Sequence, residues 1–396
     1  MPKTLVMQNS FSPWLIVCSG IHSHGGMDKA NLALAQYLIG IGREVHLVAH
    51  HVDEDLRQHP LIHVHLVPRL LGSVFLASPL LDLRGRYVAQ KLRKKTPTVR
   101  TVVNGGNCLL SDVNWSHYVN SAWKPVETEM PFPFRVRSSL FRTVECHREN
   151  RAYRMAKLVI ANSEMTRKHV LQCMGGRGRG VVRTVYLGSD PNWGEIQPDE
   201  RTASRAAVGI QPDAKIAIFV GALSKDGRKG FDVLFKAWIE LCKDPVWDVD
   251  LWVAGEGSGL ANWREQVARA GLTNRIRLLG FRKDIPALLA SADLLVSPVR
   301  YEPYGLNLQE ALCRGLSIVT SSTAGIAERF PSSLKPLLLE GTPDVTSLIT
   351  KLKLWRANID HWRETCQKFG RDLRRGTWQQ MAADMVKLID ETSYGT

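Results

Sequence analysis

Two glutamates, Glu302 and Glu310, carry the first chemical signal in this chain. They lie in Val299-Arg300-Tyr301-Glu302-Pro303-Tyr304-Gly305-Leu306-Asn307-Leu308-Gln309-Glu310-Ala311-Leu312. The apolar run Leu294–Ser297 before them has strand character, Pro303 and Gly305 shape a turn, and a helix is expected from about Gly305. The first N–H groups of a helix have no partner inside it, so a helix that starts at the carboxyl end of a strand is an anion site. A carboxylate on either side accepts hydroxyl hydrogen bonds. The combination suits a ligand with a phosphate centre and hydroxyl-rich ends. Read blandly, Glu302 favours the helix dipole and Glu310 is a solvated charge. A second cluster, Gly221-Ala222-Leu223 with Arg228-Lys229-Gly230, closes another apolar strand. If both clusters face one crevice, the bland reading loses its force.

The elements that must position these residues follow an α/β rhythm. Trp14–Cys18 reads as a strand, Ser19–Gly26 as a Gly-rich loop, Met27–Gly42 as a helix and Glu44–Val48 as the next strand. Ile62–Val67, Thr101–Val103, Leu158–Ala161 and Val181–Val185 continue the series. Composition changes near 186–214, with Pro191, Pro198 and Pro212. A second series then runs from Ile216–Val220 to Ser317–Thr320, and helices are expected over Val345–Phe369 and Trp378–Ile389. Strands alternating with helices imply doubly wound parallel sheets. The expected organisation is α/β, with two Rossmann-like domains facing a cleft. One domain is expected over residues 1–190 and the other over residues 205–372. Residues 373–396 form a C-terminal helix that crosses back to the first.

In order along the chain, Gly25-Gly26, Ala161-Asn162-Ser163-Glu164, Tyr186-Leu187-Gly188-Ser189-Asp190, Phe219–Leu223, Val253–Gly257, Leu279-Gly280-Phe281 and the Glu302/Glu310 pair follow one pattern. The chain resembles the retaining, nucleotide-sugar-dependent glycosyltransferases of the family 4 type (glycosyl transferases group 1), which have the GT-B fold. The resemblance implies a hexosyltransferase that moves a sugar from a nucleoside diphosphate sugar to an acceptor hydroxyl, with residues 1–190 as the acceptor-side domain and residues 205–372 as the nucleotide-sugar-binding domain. The setting would be glycan, polysaccharide or glycolipid biosynthesis, with no cofactor or metal required. It implies that Glu310 binds the ribose hydroxyls and Glu302 the donor sugar. Backbone N–H groups of Gly305, Leu306 and Asn307 would hold the pyrophosphate. Lys229 would neutralise the leaving diphosphate, helped by Arg228, and Gly25 and Gly26 would let the first loop approach it. His117, in Asp112–Tyr118, matches the histidine near the donor sugar. The implied catalytic set is His117, Glu302 and Lys229. One departure is Ala222, where the family usually places a second phosphate-clamping arginine; Lys225 or Arg228 would have to replace it. That departure keeps open a non-catalytic relative that binds nucleotide sugar or membrane. A synthase or phosphorylase on soluble sugars is the other alternative.

Composition bounds the rest. The 52 Lys+Arg outnumber the 38 Asp+Glu for a formal +14. Residues 1–190 hold 25 against 13, whereas the remainder holds 27 against 25. The excess therefore belongs to the first half and favours an anionic partner there. The apolar stretch Leu70–Leu81 precedes Arg84, Arg86, Lys91, Arg93, Lys94 and Lys95, and a second basic series runs Arg135, Arg137, Arg142, Arg148, Arg151, Arg154 and Lys157. An apolar stretch beside a cationic helix reads as contact with an anionic membrane face. Aromatics are not interleaved with these runs, so no nucleic-acid partner is expected. No apolar run reaches the length of a membrane span. Phe11–Ile21 is broken by Pro13 and lacks a cationic start, so it does not read as a signal peptide. Seven scattered cysteines without a CxxC pair read as cytoplasmic thiols. Asp248-Val249-Asp250 has the form of a metal–diphosphate motif but reads as a strand entrance. His22, His24, His50 and His51 read as loop histidines, the two of the first loop being open to contact with acceptor. For Glu328 the resemblance, which has a glutamate after a glycine-rich turn there, leaves a donor-side role and a plain structural one equally open.

Overall fold

The computed structural model describes residues 12–23, 25–69, 74–125, 132–178 and 180–394. Its first half comprises β1 (Trp14–Val17), β2 (Gly20–Ile21), α1 (Gly26–Gly40), β3 (Val45–Ala49), β4 (His51–Val52), α2 (Glu54–Arg57), β5 (Ile62–Leu66), α3 (Val74–Lys95), β6 (Arg100–Asn104), β7 (Val113–Ser116), α4 (Phe132–Met155), β8 (Leu158–Ala161), α5 (Glu164–Met174) and β9 (Val181–Thr184). A seven-stranded sheet in the order β5-β3-β1-β6-β7-β8-β9 results, and every neighbouring pair is parallel.

The second half comprises α6 (Pro198–Ala207), β10 (Lys215–Val220), α7 (Phe231–Leu241), β11 (Val249–Ala254), α8 (Leu260–Arg269), β12 (Ile276–Gly280), α9 (Ile285–Ser291), β13 (Leu294–Ser297), α10 (Leu306–Cys313), β14 (Ser317–Ser321), β15 (Leu338–Leu339), α11 (Val345–Ala357), α12 (Ile359–Arg374) and α13 (Trp378–Tyr394). Its six strands run β12-β11-β10-β13-β14-β15, again parallel throughout. Helices on both faces of such sheets bury the strands from each side. The central strands β1, β8, β13 and β14 are accordingly buried at every position.

The strand order reverses between β1 and β6 in the first sheet and between β10 and β13 in the second. Ligands of open α/β sheets bind outside the carboxyl ends of the strands at such switch points. Here those ends feed the loops at residues 18–25, 221–230 and 298–305, which hold the residues singled out above.

The structure departs from the sequence expectation in three places. Val113–Ser116 pairs as a full strand between β6 and β8, although its polar Asn114 and Ser116 hide the apolar run. The expected helix Val345–Phe369 is two helices. Asn358 leaves helical geometry at φ −151° and ψ 66°, and its side chain caps α12 by accepting from the His361 N–H. The short strands β2, β4 and β15 carry too few residues to show a period. The chain crosses between the halves twice, and the crossings are stitched together. The Ser189 N–H donates to Gly376 O at 2.8 Å, and a Cβ on Gly188 would lie 2.4 Å from Trp378 N. Beyond this seam α13 packs on α1, burying Met381, Met385 and Ile389 in the core under β1.

Candidate functional site

Glu302 is fixed by its own backbone. Its N–H donates to Thr323 O at 3.1 Å and its carbonyl accepts from Gly325 N–H at 2.9 Å. The flanking Tyr301 and Tyr304 are buried anchors. Gly305 follows at φ +98°, a conformation that an L side chain adopts only with strain. This kink starts α10, and Asn307 ties its first turn to β10 by donating to Val220 O at 2.9 Å.

The cationic loop is held against this turn. Gly230 sits at φ +69° so close to β13 that a Cβ would lie 1.8 Å from Pro298 O. Arg300 makes a two-pronged ion pair with Asp232 at 2.6 Å and also donates to Gly227 O at 2.6 Å. The Arg300 N–H donates to Arg228 O. As a result, Lys229 bonds the Glu302 carboxylate directly, and Arg228 Nη1 lies 3.6 Å from the same carboxylate. Burial by itself would raise the Glu302 pKa. The two cations more than offset it, and the carboxyl titrates below its ordinary value. Arg300 gave no sequence signal, because a positioning arginine looks like any other.

Glu310 reaches the opposite half of the molecule. It accepts from Lys29 Nζ, on α1, at 3.1 Å. That ammonium also lies over the rings of Trp193 at 5.3 Å and Trp378 at 5.7 Å. Burial raises the Glu310 pKa, and Lys29 only partly restrains it. The sequence reading missed Lys29, Trp193 and Trp378, which come from three distant segments. The Gly25-Gly26 loop also joins the site. Gly25 is at φ +82°, and a Cβ on Gly26 would touch Leu306, the first residue of α10.

His117 follows β7 and is buried against Trp115, with ring centroids 4.3 Å apart. Among the described residues its Nε2 has no hydrogen-bond partner, and burial depresses its pKa to about 3, so the ring is neutral near pH 7. The next residues meet the Glu302 turn. The Tyr118 ring is edge-on to Tyr301 at 5.3 Å, Arg228 stands 5.8 Å over Tyr118, and the Val119 N–H donates to Tyr301 Oη at 3.3 Å. Beside the Lys229 loop a cavity of about 350 Å³ is lined by Ala222, Leu223, Lys225, Lys229, Phe231 and Trp263. Arg228 stands with Lys229 at Glu302, whereas Lys225 lines the cavity together with Ala222 and Lys229.

Other expectations resolve differently. Glu328 does not face the donor crevice as a free carboxylate. Its two oxygens accept from the N–H groups of Glu164 and Met165 at 2.6 and 2.9 Å, capping α5 across the gap between the halves. Asp248 pairs with Arg356 at 2.7 Å and Asp250 with Arg275 at 2.6 Å, both at the amino end of β11 and away from the crevice. His22 lies 3.4 Å from Asp28, His51 lies 3.9 Å from Asp53, and His50 bonds Val67 O; His24 lies outside the described residues. Of the basic series, Arg86 pairs with Asp82 and Arg93 with Asp112, while Arg142, Arg148 and Arg154 bond backbone carbonyls. Residues 70–73 and the side chains of 74–76, 135 and 137 lie outside the described residues. Leu83 and Tyr87 are exposed on α3. No described helix is long and apolar enough to cross a membrane.

Residues 24–193 match a family model described as Glycosyltransferase Family 4, and residues 214–353 one described as Glycosyl transferases group 1. The chain is 30% identical over 171 residues to the lipopolysaccharide core biosynthesis mannosyltransferase LpsB of Rhizobium meliloti, covering 41% of this chain and 44% of that one. It is 30% identical over 152 residues to the uncharacterized glycosyltransferase MJ1607 of Methanocaldococcus jannaschii, covering 37% and 38%. The chain thus spans less than half the length of these curated relatives. WaaG, a glycosyltransferase involved in lipopolysaccharide biosynthesis, superposes with a TM-score of 0.74 at 18% identity, over 96% of this chain and 100% of that one. Anabaena HepE in complex with UDP and glucose gives 0.70 at 18%, over 96% and 100%. At such identities the likeness establishes the fold, two Rossmann-like domains.

Proposed function

Since the chain belongs to the group 1, family 4 glycosyltransferases of GT-B fold, we propose that it transfers a hexose, with retention, from a nucleoside diphosphate sugar to an acceptor hydroxyl in glycan or glycolipid biosynthesis. The observation that carries this reading is the convergence of Lys229 and Arg228 on Glu302, in the turn that leads into α10, with Glu310 about one turn into that helix. The first-turn amides of Leu306 and Asn307 and the two cations suit a diphosphate. Glu310 suits ribose hydroxyls and Glu302 the sugar hydroxyls. When the sugar–phosphate bond breaks, negative charge grows on the leaving diphosphate, where Lys229 and the α10 amides would stabilise it. The leaving phosphate would take the proton of the acceptor hydroxyl on the same face, which retains configuration. His117, neutral and with a ring nitrogen to spare, suits a sugar hydroxyl. No residue of this set calls for a metal.

HepE, of the same fold, is described as bound to UDP and glucose, which supports a nucleotide-sugar partner. LpsB and WaaG act in lipopolysaccharide biosynthesis, which supports a lipid-linked glycan acceptor. Arg84, Lys91, Lys94 and Lys95 beside exposed Leu83 and Tyr87 on α3 suit an anionic membrane face on the acceptor side. The test is calorimetry and donor hydrolysis with a panel of UDP-, GDP- and dTDP-sugars. One donor should bind and release its nucleoside diphosphate. A protein that binds none of them refutes the proposal.

A further inference from the structure

We propose that Glu44, His46 and His63 form a binding site for a divalent transition-metal ion of the zinc class, at the edge of the first sheet, with His65 orienting His46. The pattern starts in the sequence. Glu44-Val45-His46 and His63-Val64-His65 alternate, so within each strand the polar members share one face and the valines take the other. Parallel pairing sets His46 opposite His63 and Val48 opposite His65. Three imidazoles and a carboxylate therefore collect on one face of β3 and the edge strand β5.

The distances are those of a site close to its bound geometry. Glu44 Oε1 lies 3.2 Å from His46 Nε2 and 3.0 Å from His63 Nε2. One ligand atom from each of the three residues falls within 4.8 Å of the others. A tetrahedral zinc ion with bonds of about 2.0–2.1 Å separates its ligand atoms by about 3.3 Å. Small side-chain movements would open the triad around an ion and leave a fourth position to solvent.

His65 supplies what a histidine ligand needs behind it. Its Nε2 lies 3.1 Å from His46 Nδ1. The Glu44 carboxylate can only accept, so without an ion the His46 Nε2–H donates to it and His46 Nδ1 accepts from the Nε2–H of His65. With an ion on His46 Nε2 the shared proton would sit on His46 Nδ1 and His65 Nε2 would accept it. The His63 ring stacks on His46 at 4.6 Å. His63 and Glu44 are about half exposed, which provides an entry path. Lys95 near His46 and Arg84 and Lys91 near His65 repel a cation, and the Glu44 carboxylate opposes them. Glu44 and His46 lie at the amino end of β3, whereas the donor crevice lies at the carboxyl ends. A bound ion would thus clamp β5 to β3 rather than act on the sugar.

The experiment uses the full chain, stripped with a chelator, with no donor present. Cobalt(II) titration should give visible absorption at one ion per chain, and zinc calorimetry the same stoichiometry. His63→Gln and His46→Gln should abolish both signals, and His65→Gln should weaken zinc binding about 10–100-fold. His51→Gln, near the separate His22 and Asp28 group, should leave binding unchanged. Zinc at 100 times its Kd should shift the unfolding equilibrium about 100-fold in the wild type and not in His63→Gln. Absence of stoichiometric binding, or binding that survives both His46→Gln and His63→Gln in folded protein, overturns the proposal. Neither result bears on glycosyl transfer, which is read separately.

Discussion

Lys229→Met and Glu302→Gln should separate the two halves of the proposed donor site, because they remove opposite charges from one ion cluster. Glu302 has 15% of its side chain exposed and is shared by Lys229 and Arg228. At 3.6 Å, and with an effective dielectric of about 20, the Arg228–Glu302 attraction is about 5 kcal/mol before desolvation is subtracted. Arg228 alone therefore still holds the carboxylate ionised. Removing one partner of a buried pair costs about 3–5 kcal/mol when the other is left alone. With Arg228 remaining, the stability cost of Lys229→Met should be smaller, about 1–3 kcal/mol. Its effect on transfer should be larger. Losing one donor aimed at developing negative charge costs about 10²–10³ in kcat, and affinity for the bare nucleoside diphosphate should fall too. Glu302→Gln does the reverse. It frees Lys229 and Arg228 from their anion, so nucleoside diphosphate should bind as tightly as to wild type or more tightly. Turnover should still drop about 10–100-fold, since hydrogen bonds to a charged group contribute about 1.5–3 kcal/mol. Calorimetry with the nucleoside diphosphate, alongside release of that product from the intact donor, reads both quantities. Equal losses of diphosphate affinity in the two variants, or wild-type turnover by Glu302→Gln, would refute this assignment of charges.

Two further outcomes follow from the packing. Gly230→Ala must place its Cβ 1.8 Å from Pro298 O at φ +69°, whereas Gly271→Ala, at the same φ, meets open space. The first should cost about 3 kcal/mol or more and lower Tm by roughly 6–12 °C, the second only about 1–2 kcal/mol, as thermal melts would show; equal losses would mean that the close contact with β13 is not what requires glycine. Glu149 is buried on α4, and desolvation raises its pKa from 4.5 to about 7 against the N–H and side-chain bonds from Asn120. The folded state thus holds a proton that the unfolded chain releases at lower pH, so stability should fall as pH rises from about 4.5 to 7, by about 3 kcal/mol at about 1.4 kcal/mol per pKa unit. Denaturant melts of Glu149→Gln against wild type across that window should isolate this slope, and parallel pH profiles would contradict it.

The local signals were legible for plain reasons. Continuous apolar runs mark strands buried on both faces, as at Leu294–Ser297, and Pro303 and Gly305 mark the turn, where Gly305 takes φ +98°. Strand β7 was hidden because Asn114 and Ser116 are buried polar residues, satisfied by neighbours a sequence window does not see; Asn114 exchanges hydrogen bonds with the backbone of Gly105. Glu328 followed the family pattern, but its carboxylate is engaged by the start of α5, 163 and 164 residues away along the chain.

The sequence by itself determined the doubly wound class and the concentration of positive charge in the first half, and it singled out Lys229, Glu302, Gly305 and Glu310 as the residues proposed to bind the donor. Each of these rests on residue types within a short window, where backbone geometry and hydrophobic periodicity act. Only the tertiary structure decided which charges meet. It set Lys29 on Glu310, put Arg228 beside Lys229 on the Glu302 carboxylate, turned Arg300 into the brace of the Lys229 loop and gathered Glu44, His46, His63 and His65 on one sheet edge. Electrostatic partners are fixed by distances of 3–4 Å in space. Strand order and the closing of the two halves set those distances, and separation along the chain does not.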